Sequence, residues 1–419
     1  MHNAFLDGDN GVAGLVVGVR PQRVAVGGRE LRGWLGAVDC RVGQQFAKLS
    51  QSAGGGRILA VVEVAQQREP LDSGKQFAHR DVPDHRRAEP TSDNHRSMLP
   101  KAELHVHLEG TAPPALIARI AKRNRIELPP GMLAPDGRFH FRDFLHFLNT
   151  YDLAASVIRT SEDYRDITYE YLSSVAREGG VYVELTASPD HAALVGLDDD
   201  AHYGGIAQGI DDARRDHGIE SRILVSAVRN FGPDQALRVA RRAAQRPHPY
   251  IVGFSLAGDE RVAPAQFAKA DEVAAAAGLG CTIHAGEWQG PSAIREALKL
   301  PVTRLDHGVR ASEDPTLLHE LAARGMTLNV CPTSNVVLGV YRSLSEHPLP
   351  HLHGSGVRVT LGSDDPPYFG ASLAGEYALC AEHFGFSPQQ LREVTAAAID
   401  AAFCDEQLKA ALRERLHAQ

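Results

Sequence analysis

The amino-acid sequence predicts an α/β protein built as a (β/α)8 TIM-type barrel. Three observations carry the prediction. Short apolar strands alternate with helical stretches after Met98, eight such strands can be counted, and histidines and acids collect at their C-terminal ends. Eight alternating β and α units match the arithmetic of this barrel, whose working face lies at the C-terminal rim. With 419 residues, 43% of them hydrophobic, the chain can bury a large core.

The first 97 residues read differently. They hold 13 of the 39 glycines and 13 Lys+Arg against 11 Asp+Glu, a net of +2, whereas the remainder holds 31 against 41, a net of −10. Residues 11–36 offer some β-like Val and Gly, but no period persists. Residues 66–97 are polar with little to bury, so disorder is expected there. No basic start, apolar core and small-residue cleavage site mark a signal peptide. Met98 stands directly before "LPKAELHVHLEG", so the expected organisation is an N-terminal extension or mis-assigned start over 1–97 and a catalytic barrel over 98–419.

The predicted strands, in order, are "ELHVH" from 103, "VYVELTA" from 181, "RILVSAV" from 222, "IVGFSLA" from 251, "GCTIHA" from 280, "RLDHGV" from 304, "TLNVCP" from 327 and "VRVTLGS" from 357. Stretches such as "PAQFAKADEVAAAAG" carry helical spacing between them. Residues 110–180 break the rhythm. They contain "PALIARIAKRNRI", "RDFLHFLNTYDLAASVI" and "EDYRDITYEYLSSVAREGG" and no strand, which predicts an all-helical insertion after strand one, placed to cover the barrel mouth. A doubly wound open sheet is the competing fold, but no glycine-rich phosphate fingerprint follows any strand.

In "AELHVHLEG", Leu104, Val106 and Leu108 alternate with His105 and His107. Residues i and i+2 of a strand point the same way, so two imidazoles leave one face together. A second H-x-H, His351 and His353, shows that the spacing alone is weak. His284 ends strand five, His307 strand six, and Asp364 and Asp365 strand eight, so four strands deliver ligating groups to one rim. Three neutral imidazoles and a carboxylate suit Zn²⁺ with one position left for water, whose pKa the ion lowers toward neutrality. Glu287 lies three residues past His284, after a glycine, and can reach a substrate as proton donor and acceptor. Each residue has a plainer reading. His284 and His307 can be strand-end histidines, the latter paired with Asp306, and Asp364-Asp365-Pro can be a turn. Glu109 can cap the helix near Pro113 and Pro114, Gly258 can be a loop glycine, and Cys331 can pack the core. Convergence on one rim favours the metal.

The motifs "LPKAELHVHLEG", "SLAGDE", "HAGE", "DHGV", "CPTSN" and "SDDP", in this order from Met98 to the C-terminus, resemble the adenosine deaminase family of amidohydrolases. The resemblance implies one zinc per chain, held by His105, His107, His284 and Asp364. It implies that Glu287 protonates purine N1, that His307 orients the attacking water and assists its deprotonation, and that Asp365 and the Gly258 backbone hold ring nitrogens. Attack at C6 would release ammonia. His107 and Glu109 would also border the substrate. "SLAGDE" and "VELTASP" look like the adenosine-acting branch, so adenosine and deoxyadenosine lead. Three features depart from that branch: Glu109 replaces an aspartate near the ribose 5′-hydroxyl, Asp306 replaces a glycine, and "SDDPPYFG" resembles adenine- and modified-nucleoside-acting relatives. Adenine and larger N6-amino purine nucleosides such as aminodeoxyfutalosine are the alternatives.

Two rivals come from other classes. A binuclear amidohydrolase usually carries a carboxylated lysine at the end of strand four, and "IVGFSLAG" has none. A non-catalytic binding barrel predicts a damaged catalytic set, whereas every expected residue is present. The net charge of −8 indicates neither nucleic-acid nor membrane affinity, and no apolar run approaches the roughly 20 residues of a membrane span. Five scattered cysteines fit a reducing cytoplasm, and the expected partner is a small purine.

Overall fold

Eight strands pair in sequential order, each parallel to the next: β1 (Lys101–Glu103), β2 (Gly180–Ala187), β3 (Glu220–Val228), β4 (Ile251–Ala257), β5 (Gly280–Ala285), β6 (Arg304–His307), β7 (Thr327–Val330) and β8 (Arg358–Leu361). This is a computed structural model describing residues 99–245 and 248–418; the expectations for residues 1–97 lie outside the described residues. A right-handed β-α-β crossover hides both faces of a parallel sheet, so the strands read as nearly continuous buried runs; β2 is buried at all eight positions.

The barrel closes through a single bridge and not a ladder. Val106 pairs with Asp364, and the His107 N–H donates to the Asp364 carbonyl at 3.0 Å, while His107 pairs with Thr186 on the β2 side. The first strand is therefore shorter than "ELHVH" and precedes the histidines. The reason lies on the β8 side of the seam. The Ser363 N–H, which would extend the β1–β8 ladder, donates to the Glu103 carboxylate at 2.6 Å, and the Ser363 hydroxyl joins it at 2.7 Å. A side chain has taken a main-chain donor. The seam that closes the barrel thus carries His105, His107 and Asp364.

Alternation along the strands sends apolar side chains outward against the helices and polar ones inward. Leu104, Val106, Leu185, Ile283, Leu305 and Leu328 are fully buried. Inside, Arg304 crosses to Glu184 at 2.6 Å. Above that pair, Thr282, Asn329 and Thr360 form a hydrogen-bonded layer on Asp306 and on one another.

The insertion after β1 is helical, as expected: α1 (Pro114–Asn124), α2 (Phe144–Ala155) and α3 (Ser161–Arg177). α1 opens on Pro114, whose fixed φ suits a first helical position. Asp143 caps α2, accepting from the His146 N–H, and α3 begins with a Thr160–Asp163 capping box. Phe144, Phe147, Leu148 and Tyr151 of α2 overhang the C-terminal rim. Among the described residues, no helix is long and apolar enough to cross a membrane, and Cys281, Cys331, Cys380 and Cys404 are buried free thiols.

Candidate active site

His105, His107, His284 and Asp364 offer ligand atoms that all lie within 4.8 Å of one another. Asp364 Oδ1 stands 3.3 Å from His105 Nε2 and 3.4 Å from His107 Nε2. Two ligands about 2.1 Å from a tetrahedral ion are about 3.4 Å apart, so these spacings fit a first-row metal. The fit has further support: His105 Nε2 is buried and, apart from this approach to Asp364, has no hydrogen-bond partner in the protein. Its other nitrogen, Nδ1, is engaged by Asp306 Oδ1 at 3.2 Å, and His284 Nδ1 faces Asp306 Oδ2 at 3.5 Å. One carboxylate therefore turns the Nε2 atoms of two imidazoles toward the same point, the usual outer support of a metal histidine. Thr282, Asn329 and Ser255 in turn donate to Asp306, at 2.9, 2.8 and 3.4 Å. Ser334 Oγ donates to Asp364 Oδ2 at 2.6 Å, leaving Oδ1 toward the histidines.

Backbone strain concentrates here. His307 (φ 65°) and Asp364 (φ 63°) adopt left-handed conformations that non-glycine residues seldom take. Such strain persists where the surroundings over-determine the geometry, and functional sites are where it collects.

Glu287 is buried opposite His307, with 3.9 Å between Glu287 Oε1 and His307 Nε2. Burial, reinforced by the Asp364 and Glu260 carboxylates, pushes its pKa well above the ordinary range, the condition for a carboxyl that holds a proton near neutrality. The loop carrying it is clamped. The Glu260 carboxylate accepts from the backbone N–H of Glu287, Trp288 and Gln289 at 3.1, 2.9 and 2.8 Å. Asp365, buried beside Asp364, is pushed to about 8, by burial first and then by its charged neighbour. A Cβ on Gly110 would stand 1.7 Å from Asp365 Oδ1, so only glycine fits there. Gly258 (φ +92°) is required too, because a Cβ would meet Asn230 Oδ1 at 2.6 Å.

These groups line a cavity of about 180 Å³ whose mouth is bordered by Phe144, Leu148, His191 and Phe231. Glu109 sits on its wall and is 1% exposed. The chain leaves its extended path at Leu108, and Glu109 opens a 3-10 turn through Thr111, so it reaches the cavity by a turn and not along the histidines' strand face. It caps nothing, since α1 has Pro113 at its N-cap and no side-chain cap bond. Its carboxylate accepts from the Ser188 N–H at 3.1 Å, the Tyr164 hydroxyl at 3.3 Å and the Tyr151 hydroxyl at 3.5 Å. Burial raises its pKa.

Eight of the nine residues singled out from the sequence therefore line this cavity, and the ninth, His105, stands beside it in the His–Asp cluster. The second H-x-H, His351 and His353, lies on a short surface helix (Leu349–Gly354). Asp306 pairs with His105 and His284, whereas His307 bonds to Asn335. Cys331 is fully buried with its thiol pushed well up by burial, a core position. Sequence reasoning passed over the supporting roles of Asp306, Glu260, Ser334 and Asn335. Each stands inside a quoted motif, yet no spacing rule marks a residue that acts across the barrel.

Comparison with known proteins agrees with this geometry. The family model described as adenosine deaminase matches residues 100–419. An adenine deaminase of Chelativorans sp. (strain BNC1) is 46% identical over 321 residues, covering 76% of this chain and 98% of that protein. The crystal structure of adenine deaminase from Arthrobacter aurescens superposes with a TM-score of 0.72 at 32% identity, covering 76% and 98% of the two chains. An amidohydrolase from Burkholderia ambifaria, solved with bound Zn, gives 0.69 at 26% identity, covering 80% and 98%. Fold, ligand cluster and family match converge: the chain belongs to the adenosine deaminase family and is a hydrolytic deaminase.

Proposed function

We propose that this enzyme is a zinc-dependent adenine deaminase that hydrolyses the C6 amine of the free base, releasing ammonia. The single observation that carries the choice of substrate is Glu109. Its buried carboxylate occupies the cavity wall where a shorter aspartate would leave room for a sugar, and three protein donors hold it in place. The free base carries an N–H at N9 that such a carboxylate accepts; a nucleoside has no proton there and places a ribose against the same oxygens. Relatives named adenine deaminase at 44–46% identity support the same reading. The order of preference from the motifs, adenosine before adenine, is accordingly reversed.

An N/O donor set of three imidazoles and one carboxylate, with the tetrahedral spacings above, suits zinc. Zinc held there would lower the pKa of a water and so supply a nucleophile at neutral pH. The chain's own residues do the rest. Asp365, still protonated near neutral pH, donates to purine N7, and the Gly258 N–H donates to N3. Glu287 carries a proton to N1, which makes C6 electrophilic. Phe144, Phe147 and Leu148 exclude bulk water from above, strengthening each of these contacts.

A deamination screen over adenine, adenosine, deoxyadenosine and aminodeoxyfutalosine, read as loss of the aminopurine absorbance, tests the proposal. Adenine should have the highest kcat/KM. A nucleoside turned over more efficiently than adenine would overturn it.

A further inference from the structure

A chain of buried hydrogen bonds runs from the surface helix Leu349–Gly354 to His307 in the active site. Its first member is unambiguous. The Leu349 N–H belongs to the first turn of that helix, where main-chain donors have no carbonyl to reach. It donates to His347 Nδ1 at 3.2 Å. That nitrogen must present its lone pair, so the single proton of the neutral imidazole sits on Nε2. His347 is neutral because it is 4% exposed and burial pushes its pKa down to about 3. His347 Nε2–H then donates to Asn335 Oδ1 at 3.2 Å. With its oxygen facing His347, the amide turns its NH₂ to His307 Nδ1, at 3.2 Å. An amide NH₂ accepts nothing, so His307 Nδ1 also presents a lone pair, and the proton of His307 lies on Nε2.

The chain is held rigidly. Asn335 is fully buried, its main-chain carbonyl receives the Tyr341 N–H at 3.1 Å, and its own N–H reaches the Cys331 carbonyl at 3.0 Å. The His347 ring stacks on Phe384 at 5.8 Å and meets the edge of Tyr341 at 5.2 Å. No step can be reversed singly, because a reversed amide would set NH₂ against an N–H donor at one end and oxygen against a lone pair at the other.

We propose that His347 and Asn335 are positioning residues that fix the Nε2–H tautomer of His307, so that His307 donates a hydrogen bond into the active site and is not the base that deprotonates water. Glu287 gives its proton to purine N1, and the carboxylate so formed takes the proton that the attacking water loses, while His307 keeps its own. This rests on the deaminase reading above and changes the role that the family resemblance assigns to His307.

The test is the ¹⁵N spectrum of the imidazole side chains in the zinc-loaded full-length enzyme, with His307 identified by the signal lost in His307→Gln. The wild type should show His307 protonated at Nε2. Asn335→Asp offers Nδ1 only acceptors, so the proton should move to Nδ1, and kcat should fall by about one to two orders of magnitude with KM for adenine little changed. His347→Leu removes the donor that orients the amide and should mix the two tautomers. His347→Gln, which can accept from Leu349 and donate to Asn335, should restore Nε2–H and most of kcat. A wild-type His307 protonated at Nδ1, or a tautomer unchanged in Asn335→Asp, would overturn the proposal. The spectrum needs no substrate, so failure of the adenine screen leaves this result readable.

Discussion

Replacing Glu109 with alanine separates the free base from its nucleosides. The carboxylate is 1% exposed, so the proposed hydrogen bond from purine N9–H would form there without competition from water. A hydrogen bond to a charged, buried acceptor contributes about 1.5–3 kcal/mol. At about 1.4 kcal/mol per factor of ten, kcat/KM for adenine should fall about 10- to 150-fold. If this wall excludes a sugar as proposed, the same change opens space for one, and adenosine should gain in absolute kcat/KM. Glu109→Asp should show both effects more weakly. The Ser188 N–H and Tyr164 hydroxyl lose their acceptor, a stability cost of about 1–3 kcal/mol. A thermal melt therefore accompanies initial rates on the two substrates at several concentrations. If both substrates shift by the same factor in both variants while the protein stays folded, Glu109 does not read N9 and the reasoning fails.

Metal analysis of the purified enzyme should give about one zinc per chain, lost together with activity on chelation; two equivalents at full occupancy would favour the binuclear rival. Glu287→Gln keeps size but cannot deliver a proton, so it should retain zinc and bind adenine while losing about two to four orders of magnitude in kcat. His202 is buried without a hydrogen-bond partner, and burial, then the His191 charge, lowers its pKa to about 3. The unfolded chain therefore binds its proton first, so the stability that neutral His202 contributes is complete above about pH 6.5 and is lost as pH falls. Denaturant melts should show about 1.4 kcal/mol of that loss between pH 7.5 and 5.5, absent in His202→Gln. A chain beginning at Met98 should fold and keep full turnover; insolubility would assign residues 1–97 a structural role.

Most of the fold was legible because its periodicities are local. Eight apolar runs and the three helical patterns of the insertion each depend on neighbours within a few residues, and seven of the eight strands fall within two residues of their expected bounds. β1 was not, because the donor that interrupts its ladder belongs to Ser363, far along the chain. The clustering of His105, His107, His284 and Asp364 was legible by type and motif, for metal chemistry restricts the choice to a few residue types. Their supports were not. Asp306 read as a neighbour of His307, but it projects across the barrel to His105 and His284; Glu260 stood only as the last residue of "SLAGDE", but it holds the N–H groups of the Glu287 loop. By itself the sequence determined the barrel, the His and Asp side chains that gather at its rim and the class of chemistry, since periodicity and residue type are written in short stretches. Only the tertiary structure decided which nitrogen of each histidine faces inward and how Glu109 enters the cavity. Hydrogen-bond direction and the last turn of a backbone are set by partners that sequence distance conceals.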